Sequence, residues 1–202
     1  MTRFIPILIV GLFFVGCVTT PKGTGIKTDT GVWQGKAQMI NLKTNSKKWV
    51  YVTWASDSSH DRMRVDVRAL MDVPIATFIK RNSDNQLWLH TEGKHYQSDD
   101  GQELFSKLVR FPLNPDQFFG FLGKPGELGG DWTCNDNKQQ YDCYSPTHKV
   151  HLTIDHEEAD RRKIALKKDS KALKIRLIRA KVQVEDRLFD PLPTSQYKTF
   201  KL

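Results

Sequence analysis

The sequence predicts a mainly β protein, a curled antiparallel sheet or barrel with short helices inserted at one point. Three observations predict it. The segment RMRVDVRA alternates strictly, with Met63, Val65, Val67 and Ala69 on one side and Arg62, Arg64, Asp66 and Arg68 on the other, the two-residue period of a half-buried strand. Short runs of this kind recur between turn residues along the chain, as in curled sheets and barrels. Helix signals gather in one stretch, from Asp100 to Gly123.

In chain order, Phe4 to Gly16 is an apolar run of thirteen residues preceded by Arg3. A spanning helix needs about 20 apolar residues, so this run reads as the h-region of a signal peptide. Phe14-Val15-Gly16-Cys17 resembles the bacterial lipobox, with phenylalanine where leucine is usual. The match implies that residues 1–16 are removed and that Cys17 is lipidated, its thiol consumed by a thioether. Two or more acyl chains make a stable anchor. Residues 17–30 then form a flexible tether, rich in Thr, Gly, Lys and Pro and too polar to order itself. Val18 stands where a retention aspartate would, which points to the outer membrane, with the domain facing the periplasm.

Residues 31–202 have the length of one domain with a core of its own. The pattern predicts strands at 32–40, 48–55, 62–69, 75–80, 86–91, 95–97, 132–134, 142–144, 149–155, 163–167 and 173–185. In the last, the apolar parity passes from Leu173, Ile175 and Leu177 to Ile178, Ala180, Val182 and Val184, which predicts a bulge near Leu177 and Ile178. In the second, both faces are apolar, so either Trp49 and Tyr51 or their neighbours point inward.

Asp100 followed by Glu103 reads as a capping box opening a helix with Leu104, Phe105, Leu108 and Val109 on one side. Asn114, Pro115 and Gln117, with Leu113 placed to staple against Phe118, open a second helix carrying Phe118, Phe119, Phe121 and Leu122 and ended by Gly123.

Cys134 and Cys143 flank a polar stretch that reads as a hairpin loop. In an exported protein they are expected as a disulfide, contributing roughly 2 to 3 kcal/mol on chain entropy. A metal site with His148 and His151 is the alternative, but it lacks the usual ligand spacing. No metal or other cofactor is expected. "DSSHD" at 57–61 gathers Ser, His and Asp without a nucleophile elbow, and the chain reads as a binding protein and not an enzyme.

The chain carries a net charge of +8; without Arg3, 30 basic residues stand against 23 acidic ones. Such a balance in an exported protein fits anionic lipid, cell-wall polymer or an acidic partner better than nucleic acid. Arg161 to Lys181 holds ten basic residues and one acid. It is either a solvated outer face whose lysines discourage edge pairing or, through Lys174, Arg176 and Arg179, a surface for lipid head groups or an acidic carrier.

The stretch GKHYQSDDGQELFSKLVRFPLNPDQFFGFLGKPGEL, Gly93 to Leu128, resembles the central segment of the LolB family, outer-membrane lipoproteins that accept lipoproteins from the periplasmic carrier LolA. The matching features are Gly93 and Tyr96, Asp99 and Asp100, Pro112 and Leu113, and Leu122 to Gly126. Agreement extends more weakly upstream through WVYVTW and RVDVRALMDVPIATF and fades after the helices. The resemblance implies an incomplete antiparallel barrel whose mouth is closed by helices, enclosing an apolar cavity for acyl chains. The lining residues expected from it are Trp33, Trp49, Tyr51, Met63, Val65, Val67, Phe78, Phe105, Phe118 and Phe121. The residues alone favour a solid core, and the resemblance reverses that reading. In that family an exposed leucine in a Pro-Leu-Gly loop delivers cargo to the membrane; here Val73 takes the leucine's place and Pro74 the glycine's, with Leu70, Met71 and Ile75 flanking. That loop is either a delivery tip or an ordinary turn whose valine packs inward.

The expected function is that of an outer-membrane-anchored, LolB-like lipoprotein that binds the acyl chains of lipoprotein cargo, taken from a LolA-like carrier, and passes them to outer-membrane lipid. The alternative is an accessory envelope lipoprotein that binds a partner through its basic sheet and has no ligand cavity.

Overall fold

The alternating segments become strands of one sheet. The computed structural model describes residues 30–122, 128, 131–137, 140–155 and 160–202, with the side chains of 118, 119, 121 and 122 excepted. The signal segment and Cys17 lie outside the described residues. The elements are β1 (Gly31–Asn41), β2 (Ser46–Asp57), β3 (Arg62–Arg68), β4 (Pro74–Arg81), β5 (Asp84–Leu89), β6 (Lys94–Ser98), α1 (Gly101–Val109), α2 (Pro115–Leu122), β7 (Thr133–Asp136), β8 (Gln140–Ser145), β9 (Val150–Asp155), β10 (Arg161–Lys168), β11 (Lys171–Arg179) and β12 (Lys198–Lys201). The strands run in the order β12-β6-β5-β4-β3-β2-β1-β11-β10-β9-β8-β7. The sheet is mainly β as predicted, curled, and unclosed: β12 and β7 are its two ends and do not pair.

Three features depart from the expectation. An edge strand at the carboxyl end, β12, has no counterpart in the predicted strands, and it pairs parallel to β6, so the sheet is not antiparallel throughout. β11 ends at Arg179, short of residue 185. It also contains no bulge, since its register with β1 is unbroken from Trp33 opposite Arg179 to Asn41 opposite Lys171. The parity change in the sequence is therefore a strand end: Ile178 is exposed, and after Ala180 donates to the Val32 carbonyl (2.8 Å) the chain leaves the ladder. The irregularity lies instead at Val67 and Arg68, where β3 shifts against β4.

Both helices begin as the caps dictate. Asp100 accepts from the backbone N–H groups of Gln102 (2.9 Å) and Glu103 (3.2 Å), a cap worth about 1 kcal/mol. Glu103 does not complete the box; it pairs with Lys107, and the Asp100 N–H donates to Ser98 Oγ. At α2 the exchange is reciprocal, with the Asn114 N–H donating to Gln117 Oε1 (3.1 Å) and the Asp116 N–H to Asn114 Oδ1 (2.9 Å). α1 packs inside the curl against β4, β5 and β6. Its Leu104 and Phe105 are fully buried, and Phe105 meets Phe78 edge to face at 5.0 Å between ring centres.

Two histidines, His95 buried and His90 half-buried, tie β12 and the residue before it to the sheet. His90 Nδ1 lies 2.8 Å from the Tyr197 hydroxyl and its Nε2 3.0 Å from Thr77 Oγ1. His95 Nδ1 lies 3.3 Å from Thr199 Oγ1 and its Nε2 3.2 Å from Gln86 Oε1, with its ring stacked on Trp88. Burial pushes both imidazoles below their ordinary value, against the opposing charges of Asp66 at His90 and Asp84 at His95; Arg64 adds to the lowering at His90. The folded state thus holds these protons more weakly than the unfolded chain. The stability the neutral rings contribute is present above the unfolded value of 6.5 and is lost as pH falls below it. The amides of β12 are therefore expected to exchange faster at about pH 5 than at about pH 7 after correction for intrinsic rates. Equal protection at the two pH values would contradict this.

Candidate functional site

Residues directly opposite each other in a ladder share a face, so the inner wall can be read as rows. The first row holds Trp33, Trp54, Val65, Phe78 and Leu87, all of them buried. The next holds Leu177, Gly35, Val52, Val67, Ala76 and Leu89, and beyond it Ile175, Ala37 and Val50. Large rings fill the first row. Small side chains in the following rows leave space, and that space is an apolar cavity of about 570 Å³, within the size range of ligand pockets. Its walls include Ala37, Val50, Val52, Val67, Ala76 and Ile175, with Trp54, Val65 and Phe105 at the inner end.

The same rows sort the expected lining residues. Val65, Val67 and Phe105 line the cavity. Trp33, Met63 and Phe78 are buried in the packed core beside it and do not border it. Tyr51 is a correction: it opposes Lys36 on the outer face, because Val50, Val52 and Trp54 face inward with Ala37, Gly35 and Trp33. Trp49 is likewise on the outer parity and 50 % exposed, but it sits at the rim and borders the cavity as well as an outer groove lined by Lys36, Tyr51 and Leu70. The side chains of Phe118 and Phe121 lie outside the described residues. Ala37, Val52, Ala76 and Ile175 were missed; at 37 and 76 the available signal was a small residue at inward parity, which a search for large apolar residues passes over, and Ile175 was legible only as the partner of Ala37.

The rim lies at the end of the sheet where β3 turns into β4. There Leu70, Met71 and Val73 are exposed, Met71 almost completely at 94 %. The turn is held by the Ala69 N–H donating to the Val73 carbonyl (2.8 Å) and by Arg68 pairing with Asp72 (2.9 Å). Met71 and Asp72 both adopt positive φ, 65° and 64°, a conformation that costs non-glycine residues on the order of 1 kcal/mol or more each. Val73 points to solvent and does not pack inward. Ile75, grouped with the loop on sequence, instead lines the cavity wall; it is the extra residue of β4 at the irregularity, where Val67 pairs with Ala76 and Arg68 with Pro74. The exposed cavity-lining residues at this end include Lys48, Thr91, Glu92, Lys107 and Arg110.

Lys174 and Arg176 are exposed on the outer face of β11, where Arg176 lies opposite Lys36 and Lys163. Arg179 is a correction. It donates to the Thr30 carbonyl (2.7 Å) and lies over the Trp33 ring, so it locks the start of β1 to the end of β11 and is not part of the basic surface.

Cys134 and Cys143 face each other across β7 and β8 with sulfurs 2.11 Å apart. The bond occupies both thiols, leaving neither to join His148 and His151 in a metal site; among the described residues no three metal-binding side chains converge. In the 57–61 loop, Asp57 accepts from Ser59 Oγ (2.5 Å), Arg62 (2.5 Å) and His60 Nδ1 (2.8 Å). Burial raises the Asp57 carboxyl, but these bonds outweigh it and hold the group far below the usual carboxylate range. Ser59 Oγ and Asp57 both address the same nitrogen of His60, whereas a relay from acid through imidazole to hydroxyl needs both ring nitrogens. The cluster ties the loop to β3.

No family model matches the chain, and no curated protein matches it. Among solved structures the chain is similar to an uncharacterized conserved protein from Thermus thermophilus, at 6 % identity over 88 % of this chain and 94 % of that one, with a TM-score of 0.41. It is also similar to the LolA superfamily protein NE2245 from Nitrosomonas europaea, at 8 % identity over 82 % of this chain and 93 % of that one, with a TM-score of 0.41.

Proposed function

We propose that this chain is an acyl-chain carrier tethered to the outer membrane through Cys17, which takes acylated lipoprotein cargo into its cavity and releases it to the adjoining lipid. The observation that carries this reading is the coincidence of the apolar cavity and the exposed apolar loop at one end of the sheet. Apolar walls bind a hydrocarbon chain without a covalent step, and passage between two apolar environments is close to neutral in free energy. Trp49 borders both the cavity and the groove leading to Leu70, so a chain leaving the interior stays in contact with apolar surface. Tyr51, Lys36 and Lys174 lie on the same outer face, and aromatic and basic side chains together suit the water–lipid boundary. The resemblance to the LolB family supports the same reading and makes a LolA-like carrier the donor.

The test uses the chain beginning at Val18, which contains all twelve strands and the whole described core. A fluorescent fatty-acyl probe is expected to bind saturably, and Ala37→Trp, which places an indole inside the cavity, is expected to weaken binding by about tenfold or more. Because the added ring enters existing space, the thermal midpoint should stay near that of the parent. Wild-type binding by a folded Ala37→Trp variant would mean that the probe sits elsewhere.

A further inference from the structure

The cavity's wall is apolar, but its mouth is not, and the charged side chains there are mainly cationic, with Lys48, Lys107 and Arg110 against Glu92. Lys48 opposes Met39 and therefore occupies an inward position of β2, in step with Val50, Val52 and Trp54. An apolar residue at that position would extend the wall. A lysine instead lays its stem along the rim and presents an ammonium at the opening. Across the mouth, Arg110 ends α1 with φ 64°; its N–H donates to the Ser106 carbonyl (2.9 Å) and the next residue, Phe111, is buried, so the arginine's backbone is fixed. Arg110 borders the cavity and both adjoining grooves.

The remaining charges at the mouth are engaged. Glu92 pairs with Lys94 at 2.8 Å and Lys107 with Glu103 at 3.2 Å. Among the described residues no carboxylate pairs with Lys48 or Arg110. Among the described residues, Lys48 and Arg110 are thus two cations without a carboxylate partner at the border of an apolar cavity, where nearby low-dielectric walls strengthen their attraction for an anion.

Building on the acyl-cavity reading, we propose that the mouth is a head-group site, in which Lys48 and Arg110 hold the anionic head of an amphiphile whose hydrocarbon chain fills the cavity. The ligand class is an amphiphile ending in a carboxylate or a phosphodiester. Arg110 supplies a planar donor pair matched to either oxyanion, and Lys48 supplies a point charge.

The test compares ligands of equal chain length on the chain beginning at Val18, below their micellar concentrations and at low salt. One pair is palmitate and hexadecanol; the other is palmitoyl lysophosphatidylglycerol and palmitoyl lysophosphatidylcholine. The wild type is expected to prefer the anionic member of one or both pairs by about tenfold, and the pair showing the preference identifies carboxylate or phosphodiester as the head. The double variant Lys48→Gln, Arg110→Gln should bind the uncharged or zwitterionic chain as before and lose the preference. Equal affinity of the wild type within both pairs overturns the head-group site while leaving the cavity intact. A preference that survives in the double variant overturns the assignment to these two residues. Failure of all four chains to bind overturns the acyl cavity itself.

Discussion

Replacing Met71 and Val73 together with glutamate leaves acyl binding at the wild-type affinity and slows delivery from the loaded protein into liposomes by about tenfold or more. Met71 is almost fully exposed, Val73 half-exposed, and neither borders the cavity, so the folded domain loses little packing and the cavity no wall. What changes is entry of the tip into lipid, because a carboxylate resists transfer from water to hydrocarbon while methionine and valine favour it. Reversing Lys174 and Arg176 to glutamate is the informative contrast. Those positions lie on the outer face of β11, three strands from β3 and the loop that follows it, so a salt-dependent loss of encounter with an anionic surface is expected, with a smaller effect on the final step than the loop variant has. Delivery at the wild-type rate by a folded, equally loaded Met71→Glu, Val73→Glu variant would make the loop an ordinary turn.

Gly35→Ala is expected to destabilise the domain by more than about 3 kcal/mol, beyond the usual range for a single substitution. Gly35 lies between Val52 of β2 and Leu177 of β11, and a Cβ built there would come within 1.8 Å of the Arg176 carbonyl oxygen. No rotamer relieves that overlap, since the obstacle is backbone; β1 and β11 would have to separate. Gly35 shares a row with Val52, Val67 and Ala76 of the cavity wall, so a partly folded variant should also lose acyl binding. The check is the urea midpoint of the two proteins, and a shift of only a few tenths of a molar would show that the strands can open there at little cost.

The sheet was legible because alternation is a local signal: Met63, Val65 and Val67 announce one face of β3 without reference to any other strand. The caps at Asp100 and Asn114 were legible for the same reason. Where two faces are both apolar, as in β2, parity is set by the neighbouring strand, and only the pairing of Val50 with Ala37 turns Trp49 and Tyr51 outward. β12 carries no apolar alternation of its own; its place comes from partners far away in sequence, such as His95, which meets Thr199. The cavity was hardest to read, since it is made by what is small. Alanine at 37 and 76 says little in isolation, and becomes a wall only when another row holds Trp54 and Phe78 and α1 supplies Phe105. The exposed loop was named from sequence, but the reason it matters, its position at the mouth, is a property of the fold.

Acyl binding inside the curl is tested at its source by mapping where a bound chain lies, using palmitate with a photoreactive diazirine at its terminal carbon. After irradiation of the chain beginning at Val18 and digestion, adducts are expected at the inner end of the cavity, on Trp54, Val65 or Phe105, reduced by unlabelled palmitate. Adducts confined to Trp49, Leu70 and Met71 on the outside, or none that unlabelled palmitate reduces, would contradict an interior acyl site.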